Sequence, residues 1–252
     1  MSHSLAQMFL DAQARVRSAP ADLAARSVLW QIFALRGEFD RARAQLDMIL
    51  KLDADWALEV QGCHALLNAE QQRSNVFLAQ EPPVCLGSPP PWFGALATGI
   101  AHVARGQRES AIRLFTHVLE AAEPCTGTVD GSRFEWICDG DARLGPCLEI
   151  LAQGRYMWVE IRSIQGLKCA QPEELRDLIW QPAKLEIDNS GATDVFLPAR
   201  YPGGTADEHQ LARTTDWELM GADLYLGHGQ KCLSTDVDMH ALLDIRELRI
   251  DH

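Results

Sequence analysis

Short runs of acidic residues and histidines are the places where this chain could bind a metal ion. The segment DGDARLGPC (139–147) has carboxylates at positions one and three of a calcium loop. It lacks the glycine required at position six, and Ile150 stands where the loop needs a glutamate. The eight histidines form no HxxxH or HExxH pair, and Cys63-His64 is an isolated pair of neighbours. We therefore predict no metal site.

Motifs for nucleotide binding and for nucleophilic catalysis are also missing from the sequence. There is no GxxxxGK[ST] and no GxSxG. The run 227–229 (GHG) is too short for a dinucleotide fingerprint and precedes a predicted strand rather than a helix. Cys232 lies near His228 and Asp236 in the chain, but a buried strand cysteine is the favoured interpretation. We assign no catalytic or cofactor-binding residues and expect no cofactor.

One polar grouping keeps an enzymatic alternative open. His228, Asp216 and Asp236 could converge on a pocket in the C-terminal half. A deep pocket holding acids of perturbed pKa would support an enzyme, and a filled core there would exclude it. Turn chemistry explains the paired carboxylates Asp207-Glu208 and Asp236 with Asp238. Core or interface packing is favoured over a cofactor site for the aromatic residues Trp92, Phe93, Trp136 and Trp158.

Composition and charge place these residues in an ordinary globular protein. The 252 residues are 47% apolar and 23% charged, which suits one large domain or two modest ones. No run is long and apolar enough for a membrane helix, and the N-terminus lacks the basic segment of a signal peptide, so we expect a cytoplasmic protein. The seven cysteines show no CxxC spacing and are interpreted as reduced, mostly buried thiols.

Negative charge is concentrated in the C-terminal half. Residues 1–125 carry 11 basic against 13 acidic side chains, and residues 126–252 carry 12 against 22, within a net charge of −12. The C-terminal half should therefore repel nucleic acid and anionic membranes. It could attract a basic partner, although an acidic surface that aids solubility is the favoured interpretation.

Helical periodicity dominates residues 1–124. Apolar residues recur at three- and four-residue spacing over 4–18, 22–36, 38–52 and 55–80, with Ser4 as an N-cap and Gly37 in a tight turn. Five prolines then fall within ten residues, from position 82 to 91, and predict an ordered connector with extended segments. A proline-rich ligand for the aromatic groove of a partner remains the alternative.

The helical half also contains an internal repeat. LRGEFDRARAQLDMIL (35–50) aligns with ARGQRESAIRLFTHVL (104–119). A glycine is followed after five residues by Ala42 or Ala111 and after nine by Leu46 or Phe115. The 69-residue offset is close to two tetratricopeptide repeats of about 34 residues. We predict tetratricopeptide-like helical hairpins, which either bind peptides or helices on a concave face or serve as a scaffold.

Alternating apolar residues and frequent turns replace this periodicity over residues 125–252. A strand is predicted at 134–138, followed by a hairpin with arms 148–151 and 156–161 around Gln153-Gly154. Further strands are expected at 164–169, 184–187, 193–197, 216–220, 223–226, 231–235 and 242–250. Between them we predict a helix that starts at Pro172, a turn at 188–191, a loop at 205–210 and a corner at 227–229. The chain is therefore predicted to be α+β, with a helical domain (1–124) and a compact β-rich domain (125–252) that forms a small, strongly bent sheet or partial barrel.

An ordered series of segments resembles the ImpE/TagJ family of bacterial type VI secretion accessory proteins. The segments are DARLGPCLEI (141–150), GRYMWVEI (154–161), PEELRDLIWQPAKLEI (172–187), LPARYPG (197–203), LARTTDWE (211–218), GHGQKCL (227–233) and ALLDIRELRI (241–250). The repeat segments LRGEFDRARAQLD and GQRESAIRLF extend the resemblance over essentially the whole chain. Position 147, a cysteine here, and the loop at 205–210 are where members are expected to vary.

The resemblance implies a cytoplasmic, non-enzymatic adaptor. Members are thought to bind the N-terminal helix of the sheath subunit TssB, which links them to the ClpV unfoldase that recycles the sheath. Helical hairpins could hold such a helix through anchors at i, i+3, i+4 and i+7, but the acidic C-terminal sheet could equally be the binding surface. No partner-binding residues are assigned. Besides an enzyme with an unrecognised site, a purely structural dimer module remains as an alternative.

Overall fold

A computed structural model describes residues 4–187 and 191–252 of the chain. Within these residues, six of the seven α-helices precede the first strand, which confirms the α+β class expected from the sequence. The helices are α1 (Leu5–Ser18), α2 (Leu23–Leu35), α3 (Phe39–Leu52), α4 (Ala57–Phe77), α5 (Phe93–Ala104), α6 (Arg108–Ala121) and α7 (Asp207–Gln210). The strands are β1 (Gly127–Val129), β2 (Ser132–Phe134), β3 (Ile137–Asp139), β4 (Cys147–Ala152), β5 (Arg155–Glu160), β6 (Ile164–Cys169), β7 (Trp180–Ile187), β8 (Ala192–Pro198), β9 (Thr215–Gly221), β10 (Leu224–Gly229), β11 (Cys232–Thr235), β12 (Met239–Ala241) and β13 (Glu247–Ile250).

The predicted repeat forms the two helical hairpins α2–α3 and α5–α6. Gly37 and Gly106 turn each hairpin with φ of +72° and +70°, a conformation that favours glycine. Ala42 and Ala111 are fully buried where the helices cross. In the second hairpin Phe115 fills the space above Gly99, where an added Cβ would come within 2.3 Å of its ring. A small residue facing a bulky one therefore sets the close approach of α5 and α6.

The strands form one large sheet and two small ones. The large sheet has eight strands in the order β2-β1-β13-β6-β7-β8-β4-β5, all antiparallel. The β4–β5 hairpin turns at Gln153-Gly154, as predicted, and both residues have positive φ. The small sheets are the hairpin β9–β10 and the three-stranded sheet β12-β11-β3.

The proline-rich connector closes one edge of the large sheet. The amide of Trp158 donates to the carbonyl of Val84 at 2.8 Å, and the amide of Leu86 donates to the carbonyl of Trp158 at 2.7 Å. The connector therefore pairs with β5 through the parallel bridge between Cys85 and Trp158. This arrangement confirms the extended, ordered connector.

Five local predictions were wrong. The strand expected at 134–138 is two strands, β2 and β3, and the strand expected at 242–250 is a 3₁₀ turn (242–244) followed by β13. The helix expected from Pro172 is a single 3₁₀ turn, Leu175–Leu178, whose Asp177 closes a capping box with Glu174. The loop at 205–210 contains α7, and the supposed corner at 227–229 lies inside β10. Positions 188–190 of the predicted turn lie outside the described residues.

Two hydrophobic clusters lie on opposite faces of the large sheet. The first extends from the helices across the sheet to Trp158, Trp180 and Tyr201. The second packs sheet residues such as Leu167 and Leu185 against the remaining strands. Because the first cluster crosses residue 124, the two halves share a core, and a division into two domains at that position stays a prediction. No helix in the described ranges has the length and apolar content needed to cross a membrane.

The first helix is completed by a residue from the far end of the chain. The amide of Leu5, at the start of α1, donates to Oδ2 of Asp207 at 2.9 Å across 202 residues. Ser4 also accepts from the amide of Gln7 as the predicted N-cap. The acceptors therefore satisfy two of the amides that a helix leaves without intrahelical partners at its N-terminus.

A buried ion-pair network joins the helical half to the large sheet. Glu149 of β4 is fully buried and accepts from Arg73 of α4, with Nε 2.6 Å from Oε1 and Nη2 3.2 Å from Oε2. Lys231, also buried, donates to the same carboxylate at 2.5 Å, as does the hydroxyl of Tyr156. Arg73 in turn donates to Glu70, one turn earlier in α4, at 3.1 Å. Two cations thus share one interior carboxylate.

The network keeps Glu149 ionised. Burial alone would raise the pKa of Glu149, but Arg73 and Lys231 outweigh burial and hold the pKa at about 2. A carboxyl whose pKa is depressed in the folded state contributes stability above its unfolded pKa. We therefore expect this contribution to be present at neutral pH and to be lost as the pH falls through about 2.

Substituting Glu149→Gln should strongly destabilise the protein, because it leaves Arg73 and Lys231 buried with one less negative charge. We expect a loss of about 3–5 kcal/mol in the free energy of unfolding, measured by urea titration at pH 7. Asp194→Asn, which breaks the exposed pair with Lys184, is the control and should cost less than about 1 kcal/mol. Equal effects of the two substitutions would contradict the role given to the network.

Candidate functional site: an apolar groove beside the two small sheets

The polar residues proposed for an enzymatic pocket do not converge. His228 and Asp216 face each other in the β9–β10 register. Asp216 is exposed and its Oδ2 accepts from Nε2 of His209 at 2.8 Å, while Nε2 of His228 lies 3.7 Å from Glu218. Asp236 lies elsewhere and accepts from the amide of Glu135 at 2.8 Å. The structure therefore brings together two histidines with two exposed carboxylates, and leaves Asp236 out.

Cysteine and metal chemistry have no assembled site in the described part of the chain. Cys232 contacts the hydroxyl of Thr215, 3.4 Å away, and burial raises the pKa of its thiol, which favours the unreactive protonated form. All seven cysteines are free thiols. No group of three or more histidine, cysteine, aspartate or glutamate residues is placed to hold a metal ion within residues 4–187 and 191–252.

An apolar groove opens where α6 meets the two small sheets. Its volume is about 370 Å³. The β9–β10 hairpin supplies one wall, β3 with its following turn supplies the floor, and β11, β12 and the end of α6 supply the rest. The lining residues are Leu119, Trp136, Cys138, Asp139, Gly140, Ala142, Gly145, Trp217, Asp223, Leu224, Tyr225, Ser234 and Met239.

Large apolar side chains of the groove are exposed to solvent. Leu119, Trp136, Tyr225 and Met239 are each between 38% and 47% exposed, an unusual grouping because such side chains are normally scattered singly on a surface. Leu119 is the last residue of the second repeat segment (104–119), and its side chain points outward rather than into the core. Aromatic residues grouped in this way are typical of the anchors at protein–protein interfaces.

The charge at the groove is negative. Asp223 is exposed at its edge, and no lysine or arginine is among the described residues that line it. Asp236 lies beside the groove, where it accepts from the backbone of Glu135 next to Trp136. Such a rim favours a partner that presents basic residues beside an apolar surface.

The acidic turn that resembled a calcium loop positions the hairpin wall. Asp141 is fully buried and forms an ion pair with Arg143. Its Oδ2 also accepts from the amide of Gly227 in β10 at 2.8 Å, and the amide of Ala142 donates to the carbonyl of Tyr225 at 2.9 Å. The carboxylate therefore binds protein groups, and these bonds fix the strand that carries Tyr225.

Asp139 lies at the floor of the groove and connects it to the ion-pair network. Its Oδ1 accepts from the hydroxyl of Tyr201 at 2.7 Å and from the amide of Asp141 at 2.9 Å. Nζ of Lys231 lies 3.2 Å from Oδ2 without forming a hydrogen bond. Burial raises the pKa of Asp139 to about 6, although Lys231 opposes this shift. Lys231 thus links the groove floor to Glu149.

Sequence reasoning missed these buried charges and the groove. A usable signal was present, since Glu149 interrupts the apolar run of CLEILA (147–152) and Lys231 precedes the apolar pair Cys232-Leu233. A charged residue inside a predicted buried strand requires a partner. The identity of that partner could not be deduced, because Arg73 lies 76 residues away.

Substituting Gly140→Ala should disturb the groove. A Cβ at position 140 would lie 2.6 Å from Cη2 of Trp217, so the indole would have to move. We expect a loss of about 1–3 kcal/mol in stability and a changed near-ultraviolet circular dichroism signal. Gly62→Ala in α4 is the control, because its Cβ would meet nothing within 4 Å and alanine favours helix. A Gly140→Ala variant as stable as the Gly62→Ala variant would contradict the close packing.

Comparison with known proteins places this architecture in a family. The chain is 37% identical over 239 residues to the type VI secretion system accessory component TagJ of Pseudomonas aeruginosa, covering 94% of this chain and 84% of that protein. A crystal structure of a Vibrio parahaemolyticus protein matches the fold with a TM-score of 0.90 at 24% identity, over 98% of this chain and 94% of the other. The family model described as ImpE protein matches residues 131–249. This chain therefore belongs to the ImpE family, together with the accessory component TagJ.

Proposed function

We propose that this chain is a non-enzymatic accessory protein of a type VI secretion system that acts by binding another protein. Its relative TagJ is an accessory component of such a system. In this proposal the chain binds the N-terminal helix of the sheath subunit TssB and thereby connects the sheath to recycling by ClpV in the cytoplasm. The observation that carries the proposal is the exposed apolar groove beside the two small sheets.

The groove suits one face of an amphipathic helix. Trp136 and Tyr225 offer flat aromatic surfaces, and Leu119 and Met239 add aliphatic contacts. A helix lying there would bury apolar side chains at i, i+3 or i+4, and i+7. The acidic rim at Asp223 favours a helix with lysine or arginine beside that apolar stripe.

A second surface competes for the same partner. An apolar depression of about 460 Å³ lies between α4 and the β4–β5 hairpin, and Leu58 at its edge is 82% exposed. One side of it is α4, which belongs to the helical half, where the tetratricopeptide-like hairpins predict a binding face. The aromatic anchors and the acidic rim favour the groove, because Leu58 is the single large apolar side chain that is exposed among the described residues of this depression.

Calorimetric titration with a peptide covering the N-terminal helix of the cognate TssB tests the proposal. We expect saturable binding with a negative heat-capacity change, which reports apolar burial. Trp136→Ala should weaken binding roughly tenfold or more, as for a central aromatic anchor. Leu58→Ala should leave the affinity unchanged. Higher salt should slow association, because the rim charges are screened.

Each other outcome has a definite meaning. Loss of binding in Leu58→Ala but not in Trp136→Ala would move the site to the helical half. No binding by the wild-type protein at high peptide concentration would refute helix capture. Light scattering with and without the peptide separates an adaptor from the alternative of a structural dimer module, since an adaptor changes mass only when its partner is present.

A further inference from the structure

A second, polar cavity lies on the other side of the ion-pair network. Its volume is about 320 Å³. The α2–α3 turn, the C-terminal third of α4 and the segment between β8 and α7 enclose it. The residues that matter here are Ser74 of α4, Arg200, and the loop Gly203-Gly204-Thr205. The groove described above shares none of these residues, so the two sites can be tested separately.

The guanidinium of Arg200 lies at this cavity and forms no salt bridge with a carboxylate in the described part of the chain. Its Nη1 donates to the carbonyl of Leu35 at 3.0 Å and to that of Gln210 at 2.5 Å. Its Nε and Nη2 donate to no acceptor in the described part of the chain. Nearby Glu70 is occupied by Arg73 and by the indole of Trp180. Burial lowers the pKa of Arg200 to about 10, so the guanidinium remains charged at neutral pH.

Residues of a glycine-rich loop line the same cavity. The amides of Gly203, Gly204 and Thr205 donate to no acceptor within residues 4–187 and 191–252. Gly203 has a φ of +97°, which an L-residue rarely adopts, and a Cβ at Gly204 would lie 2.8 Å from Cβ of His209. The loop therefore has amides without an internal acceptor, and two successive residues that carry no side chain, beside the cavity.

We propose that this cavity binds a small oxyanion, either a phosphate or a carboxylate group, with Arg200 as the main contact. A guanidinium with two unused donor nitrogens matches the paired oxygens of either group. Loop amides supply further donors to the same oxygens. The chain carries a net charge of −12, so anions do not collect on it without a specific site.

Thermal unfolding with added phosphate, sulfate or acetate tests this site, with sodium chloride at equal ionic strength as the reference. At about ten times the dissociation constant, the bound anion should raise Tm by roughly 3–6 °C, and the increase should saturate. A larger effect of phosphate and sulfate identifies a phosphate site, and a larger effect of acetate identifies a carboxylate site. No saturable increase with any of the three anions would overturn the proposal.

Two variants connect the effect to the cavity. Arg200→Gln should abolish the rise in Tm that the anion causes, but it also removes the hydrogen bonds of Arg200 to the carbonyls of Leu35 in α2 and Gln210 in α7. Ser74→Glu keeps Arg200 and places a competing carboxylate in the cavity, so it should abolish the shift as well. Thr98→Glu in α5 is the matched control, because Thr98 makes the same side-chain bond to the carbonyl four residues earlier as Ser74 does. An undiminished shift in folded Ser74→Glu would overturn the proposal.

Discussion

The rest of this structure depends on the buried ion pairs that Arg73 and Lys231 form with the carboxylate of Glu149. Glu149 lies in the large sheet, but its main partner, Arg73, comes from the longest helix, and Lys231 comes from the segment between two small-sheet strands. An interior charge is costly unless it is paired and hydrogen-bonded, so these three segments are held in one relative position. Hydrophobic packing across the same interface is non-directional and would not specify that position by itself.

The apolar groove and the polar cavity lie at opposite ends of this ion-pair network. Lys231 connects Glu149 to Asp139 at the floor of the apolar groove, and Arg73 donates to the carbonyl of Arg200 beside the polar cavity at 2.8 Å. Charged groups in the interior therefore position an apolar surface on one side and a cationic one on the other. The exposed aromatic residues of the groove therefore lie above the buried side chains of Asp139 and Lys231.

Periodicity in the sequence was sufficient for the large-scale architecture. The repeated glycine, alanine and bulky residue identified both helical hairpins, and Gln153-Gly154 identified the β4–β5 turn, because these features depend on neighbouring residues. Prediction failed where distant contacts decide the outcome. The segment after Pro172 forms a 3₁₀ turn under α2, where the amide of Arg176 donates to Gln31 of that helix, and the groove combines residues from positions 119 to 239. Local sequence patterns contain no information about contacts between residues that are far apart in the chain.

The hydrogen bond between Leu5 and Asp207 has a consequence for how the protein is made. A ribosome adds about 5–20 residues per second, so roughly 10–40 s separate the synthesis of the two residues. During that interval the first helix emerges without its acceptor, and the face of α4 that covers the large sheet has nothing to cover until β4 and β5 have been made. The nascent N-terminal half therefore exposes apolar surface during much of translation, which is the period when chaperones would act on it.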